Sequence, residues 1–178
     1  MNPTLKRVLI WLGGLALAVV VLAVLAFLGW AMNPLGPSQA ALDALASDAS
    51  VKVTQSADGW AFVPAAGAEP SAALVYYPGG HVDARSYAPY ARDLASRGYL
   101  VVVPVMPLSL AVLSPNAADK VVAAHPNVST WVIGGHSLGG AMAGQYVAKH
   151  PGTMDGIVLQ GAYVPEGNDL SQTGSSPK

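Results

Sequence analysis

The segment Gly134-Gly135-His136-Ser137-Leu138-Gly139-Gly140 sets a serine two residues from a glycine on either side, directly after the apolar run Trp131-Val132-Ile133 and ahead of a helix-like stretch. A serine at such a strand-to-helix turn sits on a strained backbone with its hydroxyl thrown outward, and the flanking glycines let neighbouring chain close in. The spacing predicts Ser137 as a nucleophile for acyl transfer. The N–H of the next residue, Leu138, would face negative charge developing on a carbonyl oxygen, and the first turn of the following helix adds its positive dipole end.

A serine can stand at a rim only if strands end and helices begin around it. Val51 to Gln55 and Trp60 to Val63 flank a turn containing Asp58-Gly59 and read as an antiparallel hairpin at a sheet edge. After a loop around Gly67 and Pro70, strand and helix alternate. Ala73 to Tyr77 leads through Pro78-Gly79-Gly80-His81 to a helix from about Ser86 to Arg97. Leu100 to Val103 leads to a helix from about Ala117 to Ala124, and Thr130 to Ile133 to one from Leu138 to Lys149, stopped by Pro151-Gly152. Ile157 to Gln160 is a fourth parallel strand. Such alternation predicts an α/β fold, a mostly parallel sheet covered by helices on both faces.

Hydrophobic residues make up 52% of the chain and charged ones 11%, against a typical charged share of about 25%. Part of the excess lies in Val8 to Ala31, which has no charged side chain and is long enough to cross a hydrocarbon core of roughly 30 Å. It is predicted to be a transmembrane anchor. A secretory signal is the competing reading, but its apolar core is normally about 7 to 15 residues. Lys6 and Arg7 precede the span and no further Lys or Arg follows until Lys52, which predicts a single pass with a cytoplasmic amino terminus and the rest extracytoplasmic. Asn33-Pro34-Leu35-Gly36-Pro37 ends the span, and Ser38 can cap a short helix from Gln39 to Ala46. A net charge of −1 without a basic patch argues against nucleic acid as a partner. The absence of cysteine excludes disulfides, thiolate nucleophiles and zinc–thiolate sites.

The order of elements, with Pro78-Gly79-Gly80, Met106-Pro107-Leu108, Gly134 to Gly140 and the strand within Asp155 to Ala162, resembles the alpha/beta hydrolase fold. The likeness is to the family-five type of domain and covers about Val51 to Asp169. It implies Ser137 as nucleophile, Leu138 as one oxyanion donor, and a second donor from the backbone N–H of Gly80 or His81. It also implies that an acid and then a histidine follow the serine, and here the chain departs from the family. After Ser137 the one histidine is His150, thirteen positions on and about 20 Å away along a continuous helix. A general base must approach to about 2.6 to 3.2 Å.

His125 is expected at the opposite edge of the sheet, and His136 to pack or hydrogen-bond within the turn. His81 follows a strand's carboxyl end and shares the rim with Ser137, so it is the histidine best placed as a base, with Asp83 as its orienting partner. Glu166 and Asp169, just past the last strand, are the remaining acid candidates beside a solvated-loop reading. Tyr87, Tyr90, Met106 and Leu108 are shared between an acyl pocket and the core.

The domain is thus expected to be truncated after its sixth strand, leaving an apolar edge unpaired. The chain divides into an anchor at 1–32, a juxtamembrane segment at 33–50, a partial hydrolase domain at 51–170 and a disordered tail at 171–178. The expected activity is that of a membrane-anchored serine hydrolase of the esterase or lipase class. It would cleave a small-molecule carboxylic ester or lipid through an acyl-serine, with no metal or organic cofactor; without the strands that carry the family's acid and histidine, this truncated form is expected to be inactive or to keep only the residual rate of an oxyanion hole. The alternative is a non-catalytic membrane-tethered domain of the same fold that binds a lipid or protein.

Overall fold

The computed structural model describes residues 2–65 and 70–171. Gly67 of the predicted loop, and positions 172–178 of the tail expected to be disordered, lie outside the described residues. The chain divides into two compact units, Met1–Asn33 and Pro34–Lys178.

The first unit is one helix, α1 (Pro3–Ala31, 29 residues). Asn2 caps it by accepting the Thr4 N–H at 3.0 Å, and Pro3 occupies a first-turn position where no intrahelical donor is needed. Trp11, Leu12, Leu15, Leu17, Val20 and Leu22 are all exposed, so the helix has no polar face to turn toward water.

In the second unit, a short helix α2 (Gln39–Asp43) precedes a six-stranded sheet. Ser38 caps α2, its hydroxyl accepting the Ala41 N–H. The strands are β1 (Val51–Ser56), β2 (Gly59–Pro64), β3 (Ala72–Tyr77), β4 (Leu100–Val103), β5 (Thr130–His136) and β6 (Gly156–Gln160), ordered β1-β2-β4-β3-β5-β6. The predicted hairpin pairs antiparallel at the edge, and β4, β3, β5 and β6 run parallel. The α/β architecture read from the sequence is the one observed.

Helices cover both faces because strands such as Leu100–Val103 are apolar on both sides. On one face Val75, Tyr77, Val102 and Ile133 pack with Val121 of α4 (Ala117–Ala124) and Tyr146 of α5 (Leu138–Lys149). On the other, Phe62, Leu74, Tyr76 and Val101 pack with Ala88, Ala91 and Ala95 of α3 (Ala88–Ser96). The helix predicted from Ser86 starts later, because Ala84–Tyr87 forms a tighter 3₁₀ turn whose first amides are held by Asp83. At the end of the order, β6 is only half-buried and exposes Val158.

Candidate active site

Strand β5 ends at His136 and α5 begins at Leu138, leaving Ser137 alone at the turn with φ 50° and ψ −122°. A non-glycine residue held there costs about 1–3 kcal/mol, so the surroundings must enforce it. They do so from both sides, since the Ser137 N–H donates to Gln160 O on β6 and its carbonyl accepts from Ala141 N–H, both at 3.0 Å. The side chain is exposed at the carboxyl rim of the sheet.

Two glycines permit this bend. A Cβ on Gly135 would lie 2.6 Å from the Gly139 carbonyl carbon, and one on Gly139 would lie 2.2 Å from Tyr77 O and 2.3 Å from Pro78 O. The ends of β3 and β5 and the first turn of α5 therefore touch backbone to backbone, which only α-carbons without a Cβ allow.

The Pro78-Gly79-Gly80-His81 turn comes alongside. A Cβ on Gly80 would meet Leu138 Cδ2 at 3.0 Å and Leu110 Cδ2 at 3.8 Å, so Gly80 lies against the residue that follows the serine. Neither the Gly80 nor the Leu138 N–H has a backbone acceptor among the described residues. The His81 N–H does, since it donates to Ser109 O at 2.8 Å. Of the two candidate amides in this turn, His81's is thus committed to a carbonyl and Gly80's has no backbone acceptor among the described residues. Leu108 (φ 51°), Ser109 (φ 56°) and His81 (φ 59°) all take left-handed backbone at this junction. Leu35 straps the loop from outside, donating to His81 O and accepting from Asp83 N–H.

Asp83 does not orient His81. Its carboxylate accepts from the Arg85 backbone N–H at 2.9 Å and from Arg85 Nη2 at 2.6 Å. The Arg85 hydrogen bonds hold its pKa below the ordinary carboxylate value. Asp169 spends its two oxygens on the Ser171 N–H and hydroxyl, which also lowers its pKa, and Glu166 is exposed. His150 stacks on Tyr146 with centroids 4.2 Å apart at the far end of α5. His125 lies ahead of β5, with its ring 6.5 Å from that of Trp131. Met106 is buried in the core, and Tyr90 packs on Tyr76 while lining an apolar cavity with Leu94, Tyr99 and Val158.

Sequence reasoning missed the role of Tyr87. Its hydroxyl accepts the Gly79 N–H at 2.9 Å and lies 3.1 Å from His136 Nδ1, bridging the two turns beside Ser137. The signal was a tyrosine at the start of the helix following Pro-Gly-Gly, which carries no pairing information until β3 and β5 are known to be neighbours.

A profile of the alpha/beta hydrolase family matches residues 73–176, more than half of the chain. This chain belongs to the alpha/beta hydrolase family. No curated protein matches it. Among solved structures, an esterase from the Planctomycetes species Thermogutta terrifontis aligns at 16% identity over 62% of this chain and 52% of that one, with a TM-score of 0.47. TT1662 from Thermus thermophilus aligns at 16% identity over 67% and 62%, also at 0.47. An S-formylglutathione hydrolase from Agrobacterium tumefaciens aligns at 18% over 64% and 59%, at 0.44. The matching part of this alpha/beta hydrolase spans about half to three fifths of the length of these structures. Likeness at that level carries nothing about substrate.

Proposed function

We propose that this alpha/beta hydrolase is a membrane-anchored serine hydrolase that cleaves carboxylic esters, small or lipid, through an acyl-serine intermediate. The observation that carries the reading is the left-handed Ser137 turn, with Gly80 packed against the Leu138 side chain and neither residue's N–H given a backbone acceptor among the described residues.

In the reaction, Ser137 Oγ attacks the ester carbonyl carbon and its proton passes to a base. The carbonyl oxygen takes the electron pair and is met by the Gly80 and Leu138 N–H groups. The pair then returns, the bond to the alkoxy oxygen breaks, and the alcohol leaves with the proton. Water repeats the sequence on the acyl-serine, releasing the acid and restoring the hydroxyl. One well-aimed oxyanion donor is worth about 10²–10³ in rate, and the start of α5 adds to it. His81, on the same rim, is the candidate base within the chain. The family and the exposed apolar helix α1 support the two halves of the reading, hydrolase and anchor.

A fluorophosphonate probe reacts covalently only with an activated serine. The folded chain is expected to take up one probe per molecule, and Ser137→Ala to take up none. A folded chain that stays unlabelled would overturn the catalytic reading in favour of a binding domain of the same fold.

A further inference from the structure

The Tyr87 hydroxyl stands between the residue before Gly80 and the residue before Ser137. Burial raises its pKa, so the phenol keeps its proton at neutral pH. Gly79 N–H occupies an oxygen lone pair at 2.9 Å, and the phenolic proton has His136 Nδ1 in front of it at 3.1 Å. In the tautomer that carries its N–H on Nε2, His136 accepts that proton at Nδ1.

The ring that carries the hydroxyl is not free to swing. It packs on Tyr76 with centroids 5.3 Å apart, and Tyr76 in turn packs on Tyr90 at 5.1 Å and donates its own hydroxyl to Gln160 Oε1. Gln160 also supplies the carbonyl that receives the Ser137 N–H. The ring that carries the bridge therefore rests on Tyr76 of β3, whose hydroxyl partner Gln160 lies on β6, and these two strands flank β5.

We propose that Tyr87 is a positioning residue. Its hydroxyl ties the Gly79-Gly80 peptide to the Ser137 turn through His136, so that the Gly80 and Leu138 amides stay aimed at one point. His81 is already held at its N–H by Ser109 O and at its carbonyl by Leu35 N–H, so the Tyr87 tie bears on the Gly79-Gly80 peptide ahead of it. The effect on rate rests on the serine hydrolase reading. The effect on the loop does not.

Tyr87→Phe keeps the packed ring and removes only the hydroxyl. The rate of Ser137 labelling by fluorophosphonate is expected to fall about tenfold or more. With p-nitrophenyl acetate the loss is expected in kcat, with KM changed by less than about twofold. His136 is exposed, so substitutions there test the same bridge with little risk to folding. His136→Gln, whose amide oxygen can accept the phenolic proton, is expected to retain more labelling than His136→Leu. Amide hydrogen exchange of residues 79–81 in the whole chain should speed up in Tyr87→Phe and His136→Leu.

A purely structural role would lower the unfolding temperature and leave kcat per folded molecule untouched. Labelling of Tyr87→Phe at the parent rate overturns the proposal. If the parent itself is not labelled, the hydrolase reading fails, and exchange alone decides the bridge: faster exchange at 79–81 upholds it, and unchanged exchange overturns it.

Discussion

The tightest point of the rim is the α-carbon of Gly139. A methyl group there would press on Tyr77 O and Pro78 O at 2.2 and 2.3 Å, and neither oxygen can rotate away because both belong to the backbone at the end of β3. Gly139→Ala must therefore push α5 off the strand and disturb the Ser137 turn with it. The expected cost is about 3 kcal/mol or more, a drop in unfolding temperature on the order of 10 °C. Gly156 supplies the contrast, because a methyl there would meet only Val132 side-chain atoms at 3.4 and 3.8 Å. Gly156→Ala is expected to change stability by less than about 1 kcal/mol. Thermal unfolding of both variants, followed by circular dichroism, checks the difference; equal transitions would mean the rim is looser than its geometry.

At the scale of elements, much of the fold could be read directly. Leu100–Val103 and Thr130–Ile133 are apolar runs with helices between them, and Pro151-Gly152 cannot extend α5 past Lys149. Tyr77 shows why other features could not. Its hydroxyl donates to Pro115 O at 2.9 Å and accepts the Ala118 N–H at 2.8 Å, capping the start of α4 from a strand some forty residues earlier. The chain around Asn116 and Ala117 announces a helix, but nothing local names a tyrosine on β3 as its cap.

The Ser109 carbonyl that claims the His81 N–H is hidden for the same reason. It depends on two consecutive left-handed residues, Leu108 and Ser109, which no glycine signals. The tie between Asp83 and Arg85 was local, two residues apart, and competed with a histidine at the same distance on the other side. Tyr77→Phe is expected to strip both partners inside the core. It should cost about 1–3 kcal/mol, read as a lower urea midpoint at unchanged slope. An unchanged midpoint would mean that water or a neighbour replaces the hydroxyl.

At the scale of the whole molecule, α1 is long and apolar enough to cross a membrane. Twenty-nine residues at about 1.5 Å each give roughly 43 Å, more than a hydrocarbon core needs, and the helix presents Trp11, Leu15, Val20 and Leu25 on all sides with no polar stripe. Burying those side chains in lipid is favourable; leaving them in water is not. An apolar helix at the amino terminus also fits a secretory signal that is removed, and the two fates leave different products. An anchor predicts a full-length chain that sediments with membranes, resists high salt and alkaline carbonate, and is released by detergent. A removed signal predicts a soluble product whose first residue lies near Met32, after the small-residue pattern Gly29-Trp30-Ala31. If the anchor holds, Lys6 and Arg7 keep the amino terminus in the cytoplasm. Protease added outside intact cells should then digest the sheet-bearing unit, and full protection would reverse the orientation.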